Sequence, residues 1–386
     1  MGGNSISGEL LEYFDYRVDV ATASAFAQQR EKISSSALPF LFRNFTDSTS
    51  NIKTYRGYRL LAADGSSIDI CTNPDDSETY FPSKPYRKSF NQLHLNVLYD
   101  LCSKLYTNVL IQPKRKINEI RALTDIIDAS NYRNNTIIIA DRGYESYNVF
   151  AHIEQKGCKY AIRVRDVNSP TSMLKSMILP ETSEFDVEIG LNLTRKQTNE
   201  VKANSELYKI MYPSNIFDYL KPKSSMIYPM SFRVVRFAID DDKYETIITN
   251  LDKSEFTPPD IKKLYAMRWG IETSFRELKY SIGLAHLHAK KREFIEQEIF
   301  ARIIMYNFCE MIISQVIIRQ KSTKHAYQAN FTLAMKVCKS FFRHRGLSPP
   351  DVTCLIQKYI LPIRENRTFM RNVAPKSFVY FTYRVF

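Results

Sequence analysis

The spacing of hydrophobic and polar residues divides the first part of the chain into a helical and a strand-rich segment. Apolar residues recur at helical spacing through residues 7–45, which predicts a small helical N-terminal region. Residues 55–70 then carry two short strand-like runs around Asp64-Gly65, and residues 91–101 alternate as a half-buried strand does. The pattern therefore changes from period 3.6 to period 2 shortly after residue 50.

A continuous apolar run, "NTIIIADRGY" at residues 135–144, predicts a strand that is buried on both faces and ends at Asp141. A helical pattern follows, Gly157 marks its end, and another strand pattern comes next. Strands that alternate with helices around a buried central strand indicate a mixed α/β fold.

The second half of the chain contains a strand-like pattern followed by a helical pattern. Residues 167–250 contain four strand-like runs that are separated by polar turns, which predicts an all-β insertion. Thr257 precedes two prolines as a helix N-cap would, and from there to about residue 345 the pattern predicts helix.

Five polar residues recur at steps of three and four within "YAMRWGIETSFRELK", residues 265–279. On a regular helix they fall within an arc of about 80°, beside a separate apolar face. Arg and Lys match phosphate oxygens, so the stripe suits a nucleic-acid strand, while a solvated face with ion pairs is the alternative. The five residues are Tyr265, Arg268, Glu272, Arg276 and Lys279. Trp269, the only tryptophan, lies just beyond this arc and either stacks on a base or packs in the core or at the surface.

Three acidic residues stand at positions where they can meet. Asp64 and Asp141 each close an apolar run, and Glu272 lies within the polar stripe. Because the carboxyl ends of neighbouring strands meet at one sheet edge, these carboxylates could hold Mg²⁺ or Mn²⁺ there. Each acid also has a simpler interpretation. Asp64-Gly65 could be a hairpin turn, with Asp69 as the rival acid, and Asp141 could belong to a surface turn. Glu272 could be an ion-pair partner of Arg268 or Arg276.

Charge and composition favour a polyanionic partner. Among the 386 residues, Lys and Arg exceed Asp and Glu by 13, which is typical of nucleic-acid-binding proteins and also of basic proteins with scattered surface lysines. The six cysteines form no C-x-x-C pair, so a zinc site or disulfide framework is not expected. The most apolar stretch, residues 299–318, contains charged residues and predicts a buried helix rather than a membrane span.

The residues of the stripe resemble the Y-R-E-K signature of the DDE transposases of the insertion-sequence-four group. Tyr265, Arg268, Glu272 and Lys279 have its spacing, and "ADGSSI" (63–68) and "ADRGY" (140–144) resemble the two aspartate motifs of the group. The first motif has Ser66 where that family more often has Thr. The resemblance covers roughly residues 20–310.

The resemblance implies a function and a site. Asp64, Asp141 and Glu272 would be the catalytic, metal-binding triad for Mg²⁺, with Mn²⁺ as a substitute and two ions expected. Tyr265, Arg268 and Lys279 would contact DNA, as could Arg276 and Trp269. The partners would be double-stranded terminal inverted repeats and target DNA, bound by a homodimer in the cytoplasm at the nucleoid, with no membrane association.

The resemblance also implies a ribonuclease H-like mixed sheet with an all-β insertion and helical terminal regions. Two alternatives remain open: an inactive or host-recruited DNA-binding derivative, and a ribonuclease H-like nuclease without strand transfer. The expected segments are a helical N-terminal region that is a truncated DNA-binding module (1–50), the first part of the catalytic core (51–166), the β-rich insertion (167–252), the second part of the core with the Y-R-E-K helix (253–310), and a helical C-terminal region with a basic tail (311–386).

Overall fold

A mixed α/β arrangement with one large sheet is seen in the computed structural model, as the sequence predicts. The basic tail expected at the C-terminus lies almost wholly outside the described residues. The structure describes residues 5–49, 52–85, 87–240, 242–319, 325–343 and 351–363.

Ten strands of the described chain form the large sheet, and two short ones form a separate pair. In chain order they are β1 (Arg59–Ile70), β2 (Tyr80–Phe81), β3 (Phe90–Asp100), β4 (Leu105–Pro113), β5 (Thr136–Ala140), β6 (Lys159–Val164), β7 (Phe185–Thr194), β8 (Tyr208–Ile210), β9 (Ile227–Asp240), β10 (Lys243–Thr249), β11 (Tyr327–Ala329) and β12 (Ile360–Pro362).

The sheet has the order β2-β3-β1-β5-β6-β10-β9-β7-β8, and β4 also pairs with β3. Strands β1, β5 and β6 are parallel to one another, while β3 and β4 form an antiparallel meander beside β1. The insertion strands β10, β9 and β7 continue the same sheet in antiparallel pairing beyond β6. The insertion thus shares its backbone hydrogen bonds with the rest of the sheet.

The central strand β5 confirms the interpretation of the apolar run. All five of its residues are buried, as expected for a strand that is covered on both faces. The expectation of two short strands around Asp64-Gly65, and the alternative of a hairpin turn there, are both wrong. Strand β1 runs unbroken through both residues because ten consecutive residues pair with β3, and this pairing outweighs the local turn preference.

Eleven α-helices of the described chain surround the sheets. They are α1 (Ile6–Tyr13), α2 (Ala23–Arg30), α3 (Ala37–Asp47), α4 (Glu119–Ala129), α5 (Tyr147–Gln155), α6 (Asn199–Ala203), α7 (Pro258–Ala266), α8 (Trp269–Arg276), α9 (Arg292–Gln315), α10 (Phe331–Arg343) and α11 (Val352–Lys358). Short 3₁₀ turns cover Lys114–Lys116 and Arg142–Tyr144, and a π-helical turn covers Glu277–Ser281.

The two faces of the sheet bury different helices. Helices α4 and α5 pack with Ala63 of β1 on one face, whereas α8, α9 and α10 pack with Ala62 on the other. Successive residues of a strand point to opposite faces, so neighbouring side chains of β1 belong to different cores. Helix α7 begins after Thr257, whose backbone N–H donates to Asp260 at 3.0 Å, which confirms the predicted start.

Helices α2 and α3 of the N-terminal region pack onto α9. Phe42 of α3 lies against Phe300 of α9 with ring centroids 5.9 Å apart. Arg30 of α2 donates to Glu298 of α9 at 2.9 Å, and this ion pair is largely buried. Helix α9 confirms the predicted buried helix from residue 299 to Gln315, where it ends three residues earlier than predicted. No helix in the described part of the chain is both long and apolar enough to span a membrane.

Candidate active site

Asp64 lies in the middle of β1, where its side chain is largely withdrawn from water. Burial raises the pKa of Asp64 to about 6, and the negative charges of Asp141 and Glu272 contribute to the rise. A hydrogen bond from the Gly65 N–H, 2.8 Å from Oδ1, and the nearby Arg268 act in the opposite direction. One buried carboxylate therefore experiences the two other acids that the sequence singles out.

Asp141 directly follows the last residue of β5. Ala140 of β5 pairs with Ala63 of β1, and these strands are parallel, so Asp141 and Asp64 are the next residues on neighbouring strands. Oδ1 of Asp141 accepts a hydrogen bond of 2.8 Å from the Gly143 N–H and so starts a 3₁₀ turn. The register thus brings the two aspartates to the same place in the sheet.

Glu272 approaches the strands from α8. This helix packs on the sheet through Ile271 and Phe275, which share a core cluster with Ala62 of β1. Oε1 of Glu272 accepts a hydrogen bond from Nη2 of Arg268 at 3.0 Å. The alternative that Glu272 pairs with an arginine four residues away is therefore confirmed for Arg268.

The polar stripe does not lie on one regular helix, so that expectation is wrong. Helix α7 ends before Met267, and the N–H of Arg268 donates to the carbonyl of Tyr265 at 3.0 Å, a spacing of three residues. Lys279 lies in the π-helical turn that follows α8. Hydrogen bonds span three residues before α8 and five in the π-helical turn after it, so the rotation per residue changes along the segment. A constant angle of 100° per residue therefore misplaces the side chains. Similarly, residues 282–291, 316–319 and 325–330 are not helical, so the helix that was predicted to continue to about residue 345 is interrupted.

Arg268 is buried in the middle of the stripe. Its guanidinium carbon lies 5.6 Å from the ring centroid of Tyr265 and 5.5 Å from that of Trp269, in addition to the bond to Glu272. Trp269 itself is 54% exposed, so the alternative of a core tryptophan is wrong. A cation held over two rings and one carboxylate has a defined orientation beside the acids.

The remaining stripe residues differ in exposure. Burial lowers the pKa of Lys279, while Asp69 and Asp64 oppose the change, so the ammonium group faces these aspartates. Burial raises the pKa of Tyr265, the most deeply buried member of the stripe. Arg276 is exposed to solvent. The structure therefore brings Lys279 and the arginine of the signature to the acids and leaves Arg276 outside.

Asp69 was the rival for the role of Asp64. Its Oδ1 accepts a hydrogen bond of 2.6 Å from Nε2 of Gln92, its neighbour in the sheet. Asp64 is the residue whose pKa Asp141 and Glu272 raise. The arrangement favours Asp64 as the partner of the other two acids.

The three acids fit a divalent cation in chemistry and in charge. Carboxylate oxygens are the ligands that Mg²⁺ and Mn²⁺ prefer. Burial raises the pKa of Asp64, repulsion from Asp141 and Glu272 adds to the rise, and a cation would relieve this repulsion. Within the described ranges, however, no three or more His, Cys, Asp or Glu side chains are gathered closely enough to hold a metal ion. Glu272 is engaged by Arg268 instead.

Two residues beside the aspartates were missed by sequence reasoning. His94 of β3 is buried, and its Nε2 lies 2.8 Å from Oε1 of Glu119 at the start of α4. The glycines that follow the two aspartates were the available signal, because a side chain at Gly65 would collide with both groups. Only the tertiary arrangement shows what occupies that space.

A separate cavity of about 610 Å³ lies between α1, α2, α9 and α10. Apolar side chains such as Leu10, Phe26 and Met305 line it, together with charged groups such as Glu298. None of the three candidate acids is among its lining residues, so this space is not the candidate active site.

Fold and site together define an α/β protein in which acids from two neighbouring strands and one helix influence one another electrostatically beside a basic stripe. The family model of the transposase DDE domain matches residues 55–308, well over half of the chain. The chain therefore belongs to the transposase DDE domain family, and the resemblance seen in its motifs is confirmed.

Two known proteins are similar to parts of this chain. The transposase InsG for insertion sequence element IS4 of Escherichia coli (strain K12) is 27% identical over 142 residues, covering 33% of this chain and 31% of that relative. The chain thus matches about a third of the length of this curated relative. The solved structure of a piggyBac transposase synaptic complex with hairpin DNA aligns with a TM-score of 0.41 and 12% identity, covering 92% of this chain and 71% of that chain.

Proposed function

We propose that the protein is an active DDE transposase that cleaves DNA at the ends of an insertion sequence and joins the freed ends to target DNA. Membership of the family supports transposition as the process. The observation that carries the catalytic part is the electrostatic coupling of buried Asp64 to Asp141 and Glu272. A buried carboxylate whose pKa is raised by burial and by two neighbouring acids is suited to binding a cation, which would neutralise the shared charge.

Asp64, Asp141 and Glu272 would hold Mg²⁺, or Mn²⁺ in its place, as a pair of ions. When bound, such ions neutralise the phosphate charge and stabilise the attacking and leaving oxygens of a displacement at phosphorus. Glu272 is held 3.0 Å from Arg268, so it would have to exchange this partner for the cation. Arg268 would then be released towards the phosphate.

The basic stripe would hold the DNA strand beside the acids. Arg268 offers a fork of donors that matches two phosphate oxygens, and Lys279 adds a compact charge that already faces Asp64. Tyr265 would support Arg268 from below and offer a neutral hydroxyl. Exposed Arg276 and Trp269 would contact the flanking strand, with Trp269 stacking on a base.

The proposed chemistry has two displacements. In the first, the oxygen of water forms a bond to phosphorus at the element's end, the bond from phosphorus to the 3′-oxygen breaks, and a 3′-hydroxyl is released. In the second, this hydroxyl forms a bond to a phosphorus of target DNA, and the target's 3′-oxygen leaves. Each step exchanges one phosphorus–oxygen bond for another, so no oxidant or energy source is needed.

The architecture is proposed to be ribonuclease H-like. Support comes from the antiparallel meander β1, β3 and β4, which is joined through β1 to parallel β5 and β6. A homodimer on two paired inverted repeats, acting in the cytoplasm at the nucleoid, is the assembly we propose, because each element has two ends to be cut.

The test is nicking of terminal-repeat DNA in the presence of Mg²⁺ or Mn²⁺ by the full chain. Glu272→Gln should lower the nicking rate more than about 100-fold, since even groups that only support metal ligands contribute about 10- to 100-fold. Glu293→Gln, the same change at an exposed position in the first turn of α9, is the matched control and should nick normally. Absence of nicking with either metal, or undiminished nicking by Glu272→Gln, would overturn the proposal.

A second candidate is a DNA-binding derivative of a transposase that performs no chemistry. The observation that favours it is the ion pair between Glu272 and Arg268, together with the lack of a gathered metal-binding cluster among the described residues. Calorimetry with Mg²⁺ on the protein–DNA complex separates the two, because this derivative would bind DNA without binding metal at the triad. A nuclease without strand transfer would cleave the DNA but fail to join it to a target.

A further inference from the structure

A carboxylate outside the predicted triad lies behind the two strands that carry the aspartates. Gly65 and Ala63 lie on the face of β1 that is covered by α4, whereas Asp64 and Ala62 lie on the face that is covered by α8. Glu119 stands in the first turn of α4 and points towards Gly65.

The two oxygens of Glu119 are directed at the two aspartate-bearing segments. A Cβ atom added to Gly65 would lie 2.7 Å from Oε1 of Glu119, and one added to Gly143 would lie 3.7 Å from Oε2. Gly65 and Gly143 follow Asp64 and Asp141 by one and two residues. A single carboxylate therefore lies against both segments at once.

His94 holds Glu119 in this place. Its Nε2 lies 2.8 Å from Oε1 of Glu119, and its Nδ1 lies 3.2 Å from Oγ of Ser67 and 3.4 Å from Nζ of Lys114. The imidazole is only 3% exposed. The close contact with His94 lowers the pKa of Glu119 against the effect of burial, and the nearby charge of Lys114 adds to the lowering. Glu119 therefore carries its negative charge at neutral pH.

The charge of Glu119 acts on the same space as the aspartates. Tyr144, the buried last residue of the 3₁₀ turn after Asp141, has a pKa raised by burial and further by Glu119, Asp64 and Asp141. One phenol thus faces all three carboxylates. Glu119 differs from the aspartates because a histidine already contacts its carboxylate, so it is suited to supporting the site rather than to reacting in it.

We propose that Glu119, oriented by His94, is a positioning residue that strengthens divalent-cation binding by Asp64 and Asp141. It places a fixed negative charge behind both segments, and Gly65 is required because any side chain there would displace the pair. The inference rests on the proposed function, since it needs the cation site of that proposal.

The test is a Mn²⁺ titration of the full chain, with and without duplex DNA, followed by calorimetry and by quenching of Trp269 fluorescence. Trp269 is the only tryptophan and lies three residues from Glu272, so its signal reports on the acids. Glu119→Gln keeps the shape and loses the charge, and it should weaken Mn²⁺ binding about 10-fold. Glu119→Asp keeps the charge and should remain within about 3-fold of the wild type.

The control is Asp125→Asn, which makes the same charge change on α4 at a partly exposed residue that is ion-paired with Arg121. It should leave the Mn²⁺ affinity unchanged. If the wild type responds to Mn²⁺ and Glu119→Gln binds it equally well, the inference fails while the proposed function stands. A greater loss of Mn²⁺ affinity in Glu119→Asp than in Glu119→Gln would show that shape rather than charge matters and would also overturn it. If the wild type shows no response with or without DNA, the cation site itself fails and the inference fails with it.

Discussion

The side chain of Trp269 is exposed to solvent and at the same time contacts a buried guanidinium group. Its ring is 54% exposed, yet one side of it is occupied by the buried guanidinium of Arg268, whose carbon lies 5.5 Å away. An exposed indole contributes little to folding but offers a flat surface to a nucleic-acid base. A base that stacks on Trp269 would therefore lie next to the acids.

Trp269→Ala should weaken DNA binding with little effect on stability. Loss of one stacked base costs about 1–3 kcal/mol of binding free energy, whereas an exposed substitution changes the free energy of unfolding by about 0.5 kcal/mol or less. Fluorescence anisotropy with labelled DNA measures the first and urea denaturation the second. Tyr280→Ala, at a 71% exposed aromatic residue in the π-helical turn, is the control. Equal losses of affinity in both variants would contradict a specific stacking role.

At the scale of the element, α9 is a 24-residue helix that carries charged groups into the core. Burial raises the pKa of Glu310 to about 7, with Glu277 adding to the rise and Lys104 opposing it. The folded state therefore favours the protonated acid. The stability that protonated Glu310 contributes is fully present below its unfolded-state pKa of 4.5 and is lost as the pH rises through about 7.

Glu310→Gln should consequently stabilise the protein at alkaline pH and have little effect below pH 4.5. A rise of the pKa from 4.5 to about 7 corresponds to roughly 3 kcal/mol of unfolding free energy above pH 7, at 1.36 kcal/mol per pKa unit. Urea denaturation at several pH values measures the difference between variant and wild type. Exposed Glu293→Gln on the same helix should give no pH-dependent gain. A gain that is independent of pH would point to packing instead of ionisation.

At the scale of the whole molecule, the excess of 13 positive charges should attract the phosphates of DNA. Lysines and arginines that bind phosphates release counterions, so affinity should fall linearly with salt on logarithmic axes. The slope of affinity against salt depends on the total number of phosphate contacts, and each contact contributes a definite part of it.

Lys279→Gln should weaken DNA binding and lower the magnitude of that salt slope by about 1, because one phosphate contact is removed. Lys243→Gln is the control, since this exposed lysine pairs with Asp240 in the insertion. Anisotropy titrations across a series of salt concentrations give both slopes. An unchanged slope for Lys279→Gln would show that its ammonium group does not contact phosphate.

The sequence predicts the parts of this molecule that depend on local pattern. The buried run ending at Asp141 identifies β5, and the four runs of residues 167–250 identify β7 to β10. The family itself follows from four spaced residue types in residues 265–279. These features are visible because each is encoded within about fifteen neighbouring residues.

Long-range contacts explain what the sequence does not predict. Asp64-Gly65 has a strong local preference for a turn, but pairing with β3 keeps it in a strand. Glu119 approaches Gly65 only because α4 packs behind β1, and periodicity carries no sign of this contact. The change in helical winding around Arg268 likewise depends on packing against the sheet and not on the spacing of polar residues.

The pairing of β10 with β6 has a consequence for the order in which the molecule is assembled. Thr246 pairs with Val164, so the sheet closes a loop of 246 − 164 − 1 = 81 residues at this point. Closing so long a loop makes folding slow, whereas the meander around β1 forms from near neighbours in the chain. Both aspartates also precede Glu272 in the chain, so during synthesis the nascent chain carries an incomplete acidic site until α8 has been made.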